Sequence, residues 1–552
     1  MSRKIDPITR SVVQYRLSSI VQEMGEAMLR TSYSQILNSS RDFSLAICDP
    51  RGRLIAQADH IPVHVGALPW ATLAVEERFS ADIRPGDVIL LNDPYHGGSH
   101  LPDLTAFVPI FDGDKRLLWT IVRAHQSDIG GATHGGYNPA ATEIWQEGIR
   151  VPPIKLYEAG RLRDDLLDLL ALNVRNAREF RGDLAAMVGA AHLGERRLSR
   201  LFAEFGEPVV AAAMEAILDA TEQQTRAVVS TWKDGVFYGE AFLDDDGHGR
   251  SDIRITAKVT KKGSDIEVDL SESDPQSTSF VNSSHANMQA AVAMAFAYLI
   301  DADIPKNSGA LRALKVIARQ GTVVWADPGR PVTLCTSHPS NEIVEAIIKA
   351  LSASCPDRAM AGWGRRFRIA IQGEDPRTGK NFIWHMFQAR PGGGASSGGD
   401  GWSSIGEWHT VGGIKFGSIE VAEVRFPLHF RHHEFHAGSG GDGQFRGGLG
   451  VALDLVLETE KPARGNTAGD GARHGPCGML GGEDGEPHRY RLLSEGREAR
   501  VLRTKEVGIE IRPGDCLEIR SSGGGGWGVP ALRSEHTRRR DREQGLMLES
   551  DH

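Results

Sequence analysis

Apolar positions recur at helical spacing in some stretches of the chain and as short unbroken runs in others, and this alternation divides it. Asp6-Pro7 supplies an N-cap followed by proline at the first helical position. Val13, Leu17, Ile20, Val21, Met24 and Met28 follow at helical spacing, which predicts an amphipathic helix over residues 7–31. Beyond it the apolar runs at 43–48, 87–91, 104–111 and 117–122 are short, broken by turn residues, and read as strands. Residues 164–232 return to helical spacing, rich in Ala, Leu, Glu and Arg and nearly free of internal proline. A strand-rich stretch over 236–270 turns at Asp244-Asp245-Asp246-Gly247, and residues 286–300 and 341–354 are expected as buried helices.

After about residue 380 the pattern is carried by glycine. Clusters at 392–394, 398–401, 438–443, 447–450 and 523–526 alternate with strand-like segments, and tight turns between strands are the expected use of these glycines. The stretch 534–552, with Arg538-Arg539-Arg540, has no apolar pattern and is expected to be disordered. No repeat of fixed period is present. The expectation is a multi-domain α+β protein. Its segments are a strand-rich region with an N-terminal helix (1–163), a helical segment (164–235), a mixed α/β region (236–380), a glycine-rich β region (381–533) and the tail (534–552).

Composition narrows the function classes. The 552 residues carry 63 Lys+Arg against 72 Asp+Glu, a formal charge of −9, which argues against a sequence-independent binder of phosphate backbones. The most apolar stretch, 286–300, contains Asn287 and Gln289 and is too short to span a bilayer, and Met1-Ser2-Arg3-Lys4-Ile5-Asp6 does not resemble a secretory leader. The five cysteines lie far apart without a CxxC pair, as in a protein of a reducing compartment, so a cytoplasmic location is expected.

One stretch carries candidate chemistry. The segment from Asn92-Asp93-Pro94 through His100-Leu101-Pro102-Asp103 follows an apolar run, and a hairpin then leads to His125-Gln126-Ser127-Asp128. With the hairpin centred on Asp112-Gly113, cross-strand partners sum to 225 and His125 faces His100; a loop two residues longer makes the sum 227 and His125 faces Pro102. Either register brings two imidazoles and the Asp103 carboxylate to one end of the hairpin, a ready set of ligands for a divalent metal. A fourth could come from Asp42, at the start of Arg41-Asp42-Phe43-Ser44.

Other features carry less. Arg431-His432-His433-Glu434-Phe435-His436 is rich in ligand types but reads as an exposed strand end. Residues 392–401 could form an anion-binding nest, yet neither a GxxxxGK[ST] loop nor a GxGxxG fingerprint occurs. Ser337-His338 does not make a nucleophile elbow.

Taken together these stretches resemble the hydantoinase B/oxoprolinase family, the B-type subunits of ATP-dependent hydantoinases and lactamases, with related subunits in acetone-type carboxylases. The resemblance spans nearly the whole chain. It rests on Arg41-Asp42-Phe43-Ser44, residues 92–103, His125-Gln126-Ser127-Asp128-Ile129-Gly130-Gly131, Asp244-Asp245-Asp246-Gly247, Phe445-Arg446-Gly447-Gly448-Leu449-Gly450 and Gly523-Gly524-Gly525-Gly526-Trp527-Gly528.

The resemblance implies one divalent metal ion, Zn or Mn ahead of Fe, on Asp42, His100, Asp103 and His125, with His96 and Asp128 as candidates for proton transfer or ligand orientation. It also implies an ATP-binding A-type partner subunit, forming a heterotetramer, that uses ATP with Mg to phosphorylate the carbonyl of a cyclic amide. The B-type chain would then hydrolyse the activated ring. Two departures stand out: Ser39 and Ser40 where many relatives carry an acidic residue, and an unusual segment from Cys335 to Asn341. The first favours amide hydrolysis over the alternative of a carboxylase subunit. A second alternative is a non-catalytic scaffold for an ATP-binding partner. The resemblance implies no nucleic-acid or membrane partner.

Overall fold

Asp6 caps the first helix, α1 (Pro7–Thr31), accepting hydrogen bonds from the backbone N–H groups of Ile8 and Thr9. The structure, a computed structural model, describes residues 5–547 apart from 59, 411, 412, 416 and 496–498. Helix α1 buries Val13, Leu17, Ile20, Val21, Met24 and Met28, the positions its periodicity marks. Each such side chain contributes roughly 1.5–3 kcal/mol relative to exposure.

A short helix, α2 (Gln35–Asn38), leads into β1 (Phe43–Cys48) and β2 (Leu54–Ala58). Helices α3 (Pro62–Gly66) and α4 (Leu68–Phe79) precede β3 (Val88–Leu91), β4 (Asp103–Asp112), β5 (Lys115–His125), β6 (Ile154–Glu158) and β7 (Arg161–Leu162). These strands form an antiparallel seven-stranded sheet in the order β2-β1-β5-β4-β3-β6-β7. One face, with Leu104, Ala106, Val108 and Val122, joins α1 in the main core. The other face, with Phe107, Trp119 and Ile121, packs under Leu68, Ala71 and Val75 of α4.

The helical segment consists of α5 (Asp164–Leu172), α6 (Ala177–Phe205) and α7 (Glu207–Val229), as its spacing predicts. Strands β8 (Gly235–Asp245), β9 (Ser251–Lys262), β10 (Asp265–Asp269) and β11 (Leu314–Ile317) make a four-stranded sheet. The two buried helices expected here are α8 (His285–Leu299) and α9 (Ser340–Leu351). One contiguous core draws on α1, the seven-stranded sheet, α6, α8 and α9, so the first three sequence segments are packed as a unit.

Strands β12 (Phe367–Asp375) and β13 (Lys380–His385), then helix α10 (Ile419–Arg425), precede β14 (Leu428–His436), β15 (Gly450–Leu457) and β16 (Ala463–Gly469). Strands β17 (Arg489–Leu493), β18 (Arg500–Val501), β19 (Lys505–Ile511) and β20 (Cys516–Arg520) complete two sheets, β13-β12-β16-β19 and β14-β15-β20-β17-β18. Ile369, Ile371, Trp384, Leu453, Leu455, Ile509 and Leu517 pack between them as a second core.

Three expectations need correction. The hairpin turns at Gly113-Asp114, pairing Asp112 with Lys115, and a bulge between Ile110 and Phe111 adds one more residue. Partners beyond the bulge therefore sum to 228, and His125 faces Asp103 rather than His100 or Pro102.

The glycines of 392–394, 447–448 and 523–526 are not turns, and none has positive φ. Their segments lie backbone against backbone, with Gly448 N–H donating to the Gly393 carbonyl and Gly524 N–H to that of Gly448, at 2.9 and 2.8 Å. A Cβ on Gly524 would come within 2.0 Å of the Gly393 oxygen, and one on Gly447 within 1.9 Å of the Gly524 oxygen.

The tail is ordered over α11 (Glu535–Glu543), capped by Ser534. Polar contacts hold it: Arg533 donates to Asp400 and to the fully buried Asp541. Such order leaves no apolar periodicity to read. Residues 548–552 lie outside those described.

Candidate metal centre

Antiparallel pairing fixes the ends of three strands at one place. Phe43 of β1 faces Ala124 of β5, and the His125 N–H donates to the Asp42 carbonyl at 3.0 Å. Asp103 and His125 are direct cross-strand partners, so their side chains leave the same face of the sheet. His100 precedes β4 on a loop braced by Asn92, whose side-chain amide donates to the carbonyls of Leu101 and Ile149 while its oxygen accepts from Val151 N–H. Gly97 (φ +86) lets this loop approach α4, where a Cβ would meet the Trp70 carbonyl at 2.5 Å.

His100, Asp103 and His125 each present a ligand atom within 4.8 Å of the others, and all three are buried. Asp103 Oδ1 lies 2.9 Å from His100 Nε2 and 3.2 Å from His125 Nδ1. Despite that proximity His100 Nε2 has no hydrogen-bond partner among the described residues. A buried imidazole nitrogen without a partner, beside a carboxylate oxygen, is the arrangement expected of ligands that converge on a shared ion. The other nitrogen, Nδ1, is engaged by the Thr333 carbonyl. This contact fixes the ring and leaves Nε2 as the ligating atom.

Burial pushes His64 down to about 4 and lowers His125, which favours the form of each ring that keeps a lone pair for a metal. Burial also works against the charge on Asp103, but its imidazole neighbours, His100 first, outweigh that and hold the carboxyl well below its usual range. Ser99 adds a 2.6 Å hydrogen bond to Asp103 Oδ2. Two nitrogens and one charged oxygen fit a borderline divalent ion of the Zn, Mn or Fe kind.

Of the sequence-selected residues, the structure brings His100, Asp103 and His125 together. Asp42 is buried one imidazole away: His64 Nε2 stands 3.7 Å from Asp42 Oδ1 and 3.2 Å from Asp103 Oδ2. His64, on α3, has no place in the sequence-based set. Its only sequence signal is a polar residue inside Pro62-Val63-His64-Val65.

His96 and Asp128 make their hydrogen bonds elsewhere. His96 Nδ1 is 2.8 Å from Asp93 and its side chain is 54% exposed. Asp128 accepts from the backbone N–H groups of Gly130 and Arg175 and pairs with the Arg175 guanidinium at 2.9 Å. The histidines of 431–436 lie along β14, where His433 Nε2 is 2.9 Å from the Gln388 carbonyl.

The segment from Cys335 to Asn341 packs behind the cluster, with Cys335 Sγ 3.0 Å from the Ser99 carbonyl. Glu147, fully buried, accepts from the backbone N–H groups of Val332 and Thr333, both at 2.9 Å, and so sets the carbonyl that holds His100. On the other flank His385 is pushed down to about 3, by burial first and then by His125. A cavity of about 230 Å³ is bordered by His385, Ser127, Glu179 and Tyr33.

Comparison with known proteins agrees with this architecture. The chain is 34% identical to caprolactamase subunit beta of Pseudomonas jessenii, across 98% of its own length and 94% of that protein's. Its fold matches the crystal structure of the ATP-dependent caprolactamase from Pseudomonas jessenii with a TM-score of 0.92 at 32% identity, covering 99% of this chain and 95% of that one. Nucleotide-free acetone carboxylase matches with a TM-score of 0.89 at 20% identity, over 99% of this chain and 78% of that one, a likeness of fold. The hydantoinase B/oxoprolinase family profile matches residues 6–530, from the cap of α1 past the last glycine cluster. With that match and a near-full-length relative one-third identical, the chain belongs to the hydantoinase B/oxoprolinase family.

Proposed function

We propose that this chain is the B-type subunit of an ATP-dependent enzyme that opens cyclic amides by hydrolysis. The observation that carries the reading is the convergence of His100, Asp103 and His125 on a common point, in a chain one-third identical to a caprolactamase subunit over nearly its whole length. An amide carbonyl is a poor electrophile. In this reading an A-type partner, assembled with this chain as a heterotetramer, uses ATP with Mg to phosphorylate the ring carbonyl oxygen. That gives the carbon an electron-poor character and the oxygen a leaving group.

The chain's own residues then present water to that carbon. His100, Asp103 and His125, with Asp42 as a fourth donor close by, would hold a divalent ion. The ion would supply Lewis acidity and a water acidified toward about pKa 7. Ser99 and Thr333 fix the donor set from behind. His64 Nε2 stands between the two carboxylates, 3.2 Å from Asp103 Oδ2 and 3.7 Å from Asp42 Oδ1. Burial of the cluster restricts which water meets the activated ring. His96 and Asp128 act in this scheme by holding loops.

A carboxylase reading has less support: the acetone carboxylase match is one of fold, and Ser39-Ser40 stand where an added acidic ligand would be needed. A cytoplasmic location agrees with the chemistry, and among the described residues no helix is long and apolar enough to cross a membrane.

The test is reconstitution with an A-type partner, following ring opening of caprolactam, hydantoin and 5-oxoproline against ATP consumed. Ring opening that needs both chains and ATP, and is lost in His100→Ala and His125→Ala, is the expected result. Activity surviving both substitutions would sink the metal role, and ATP turnover that depends on bicarbonate and a ketone would reverse the choice against carboxylation.

A further inference from the structure

The start of β12 and the segment after β13, the strand that carries His385, hold a group of buried cations. Arg366 and Arg368 flank Phe367 at the start of β12, so their side chains share one face while Phe367 stacks on Tyr490 on the other. Arg390 follows β13, the hairpin partner of β12. All three arginines are at most 3% exposed. The guanidinium carbons of Arg368 and Arg390 lie 4.3 and 6.0 Å from the centroid of one ring, Phe387. Arg366 lies 5.8 Å from the Tyr137 ring and donates to its hydroxyl at 2.9 Å. Tyr137 in turn packs on His385, the imidazole that feels His125.

Positive charge exceeds negative here. The carboxylates that act on all three guanidinium groups are Glu407, 3.8 Å from Arg390 Nη1, and Asp42. Buried arginines ordinarily have their donors satisfied by carboxylates or carbonyls. Here, among the described residues, Arg366 Nε and Arg368 Nη1 have no partner, and neither does the Nε2 of the adjoining His409. Burial, then repulsion from Arg366, lowers Arg368, as expected where cations await a counter-charge.

We propose that Arg366, Arg368 and Arg390 form a cradle for a phosphoryl dianion bordering the His100–Asp103–His125 cluster. Guanidinium forks match phosphate oxygens with charge-assisted hydrogen bonds. Three of them, from the start of β12 and the segment after β13, supply more charge than a single carboxylate needs and suit a group with three terminal oxygens. The proposal deepens the reading of the chain as a hydrolase of phosphorylated rings and rests on it for the ligand's identity. The cradle grips the phosphoryl group on the carbonyl oxygen and orients the carbon toward the cluster. Water adds to that carbon, the ring C–N bond breaks with a proton passing to the nitrogen, and the cradle takes the phosphate released when a second water hydrolyses the resulting acyl phosphate.

The test uses the purified full chain without a partner and without metal, and follows binding of inorganic phosphate and of phenyl phosphate by calorimetry, with acetate as the carboxylate control. Both phosphates should bind and acetate should not, and Arg368→Met should weaken them by at least about tenfold. A monoester held more tightly than phosphate identifies the substrate's phosphoryl group as the ligand, and the reverse order identifies released phosphate. Should Arg368→Met not fold, Arg366→Lys, which keeps the charge and removes the fork, gives the same comparison. Equal binding by wild type and variants, binding only when metal is present, or acetate bound as tightly as phosphate overturns the cradle. An inactive reconstituted enzyme with an intact phosphate site would fault the reaction and leave the cradle standing.

Discussion

The Thr333 backbone carbonyl engages Nδ1 of His100 across 233 residues of sequence. That contact passes from a ligand-bearing loop to a segment with no regular structure, and Glu147 holds the segment by both oxygens. Orientation of a ligand therefore depends on a carboxylate that never meets the cluster. Glu147→Ala should leave the sheet intact and weaken metal retention about 10- to 100-fold, the usual effect of losing a partner behind a ligating histidine. Metal content after dialysis against graded chelator checks it, and unchanged retention would show that Glu147 plays no part in positioning.

Glu147 also predicts a pH dependence. Burial raises its pKa to about 8, against the backbone donors of Thr333 and Val332 that pull it down. The folded state then holds a proton that the unfolded state releases between about 4.5 and 8, so this contribution to stability is complete below that window and lost as pH rises through it. Melting temperature should fall across this range in the wild type, and the fall should be smaller in Glu147→Gln. An identical slope in both would refute the assignment.

His64 and His96 should behave oppositely. His64→Ala removes the buried imidazole that stands between the Asp42 and Asp103 carboxylates and should cost about 1–3 kcal/mol. His96→Ala removes a half-exposed pair with Asp93 and should change stability by less than about 1 kcal/mol. Urea denaturation of both variants decides the point, and equal losses would place His96 in a role its geometry does not suggest.

Purified chain should carry about one tightly held divalent ion, absent after His100→Ala or His125→Ala. Mass spectrometry of metal content gives the answer. Stoichiometric metal in both variants would move the site elsewhere.

Helix α11 supplies a fifth expectation. Asp541→Ala leaves the nearly buried Arg533 with Asp400 and the Gln444 carbonyl, and breaking such a buried ion pair costs about 3 kcal/mol. Guanidinium denaturation measures this, and a change within error would mean that α11 contributes nothing to folding.

Local rules were legible wherever one physical effect dominated. The cap at Asp6, the α1 stripe and the β4–β5 hairpin each follow from periodicity or a strong local signal, so three ligand candidates could be placed together from spacing. The register went wrong by the bulge at Ile110–Phe111, which answers to twist and packing and leaves no residue signature. His64 was invisible because its role comes from α3 lying across the sheet end, a tertiary fact. Arg366, Arg368 and Arg390 were invisible for the same reason: a surface arginine and a buried one are written alike. His96 and Asp128 pair with Asp93 and Arg175, partners that nearness in sequence to a ligand does not reveal.

The stacked glycine segments at 392–394, 447–448 and 523–526 give this protein a region with an alphabet of one letter. An ordinary core accommodates a foreign residue because neighbouring side chains can change rotamer or trade volume. Where backbone rests on backbone no rotamer exists to yield, and no second substitution can restore the space the first one took. Random mutagenesis should therefore find the β14–β20 sheet forgiving and these glycines intolerant of even alanine, so that loss-of-function alleles gather in a stretch that carries no side-chain chemistry at all.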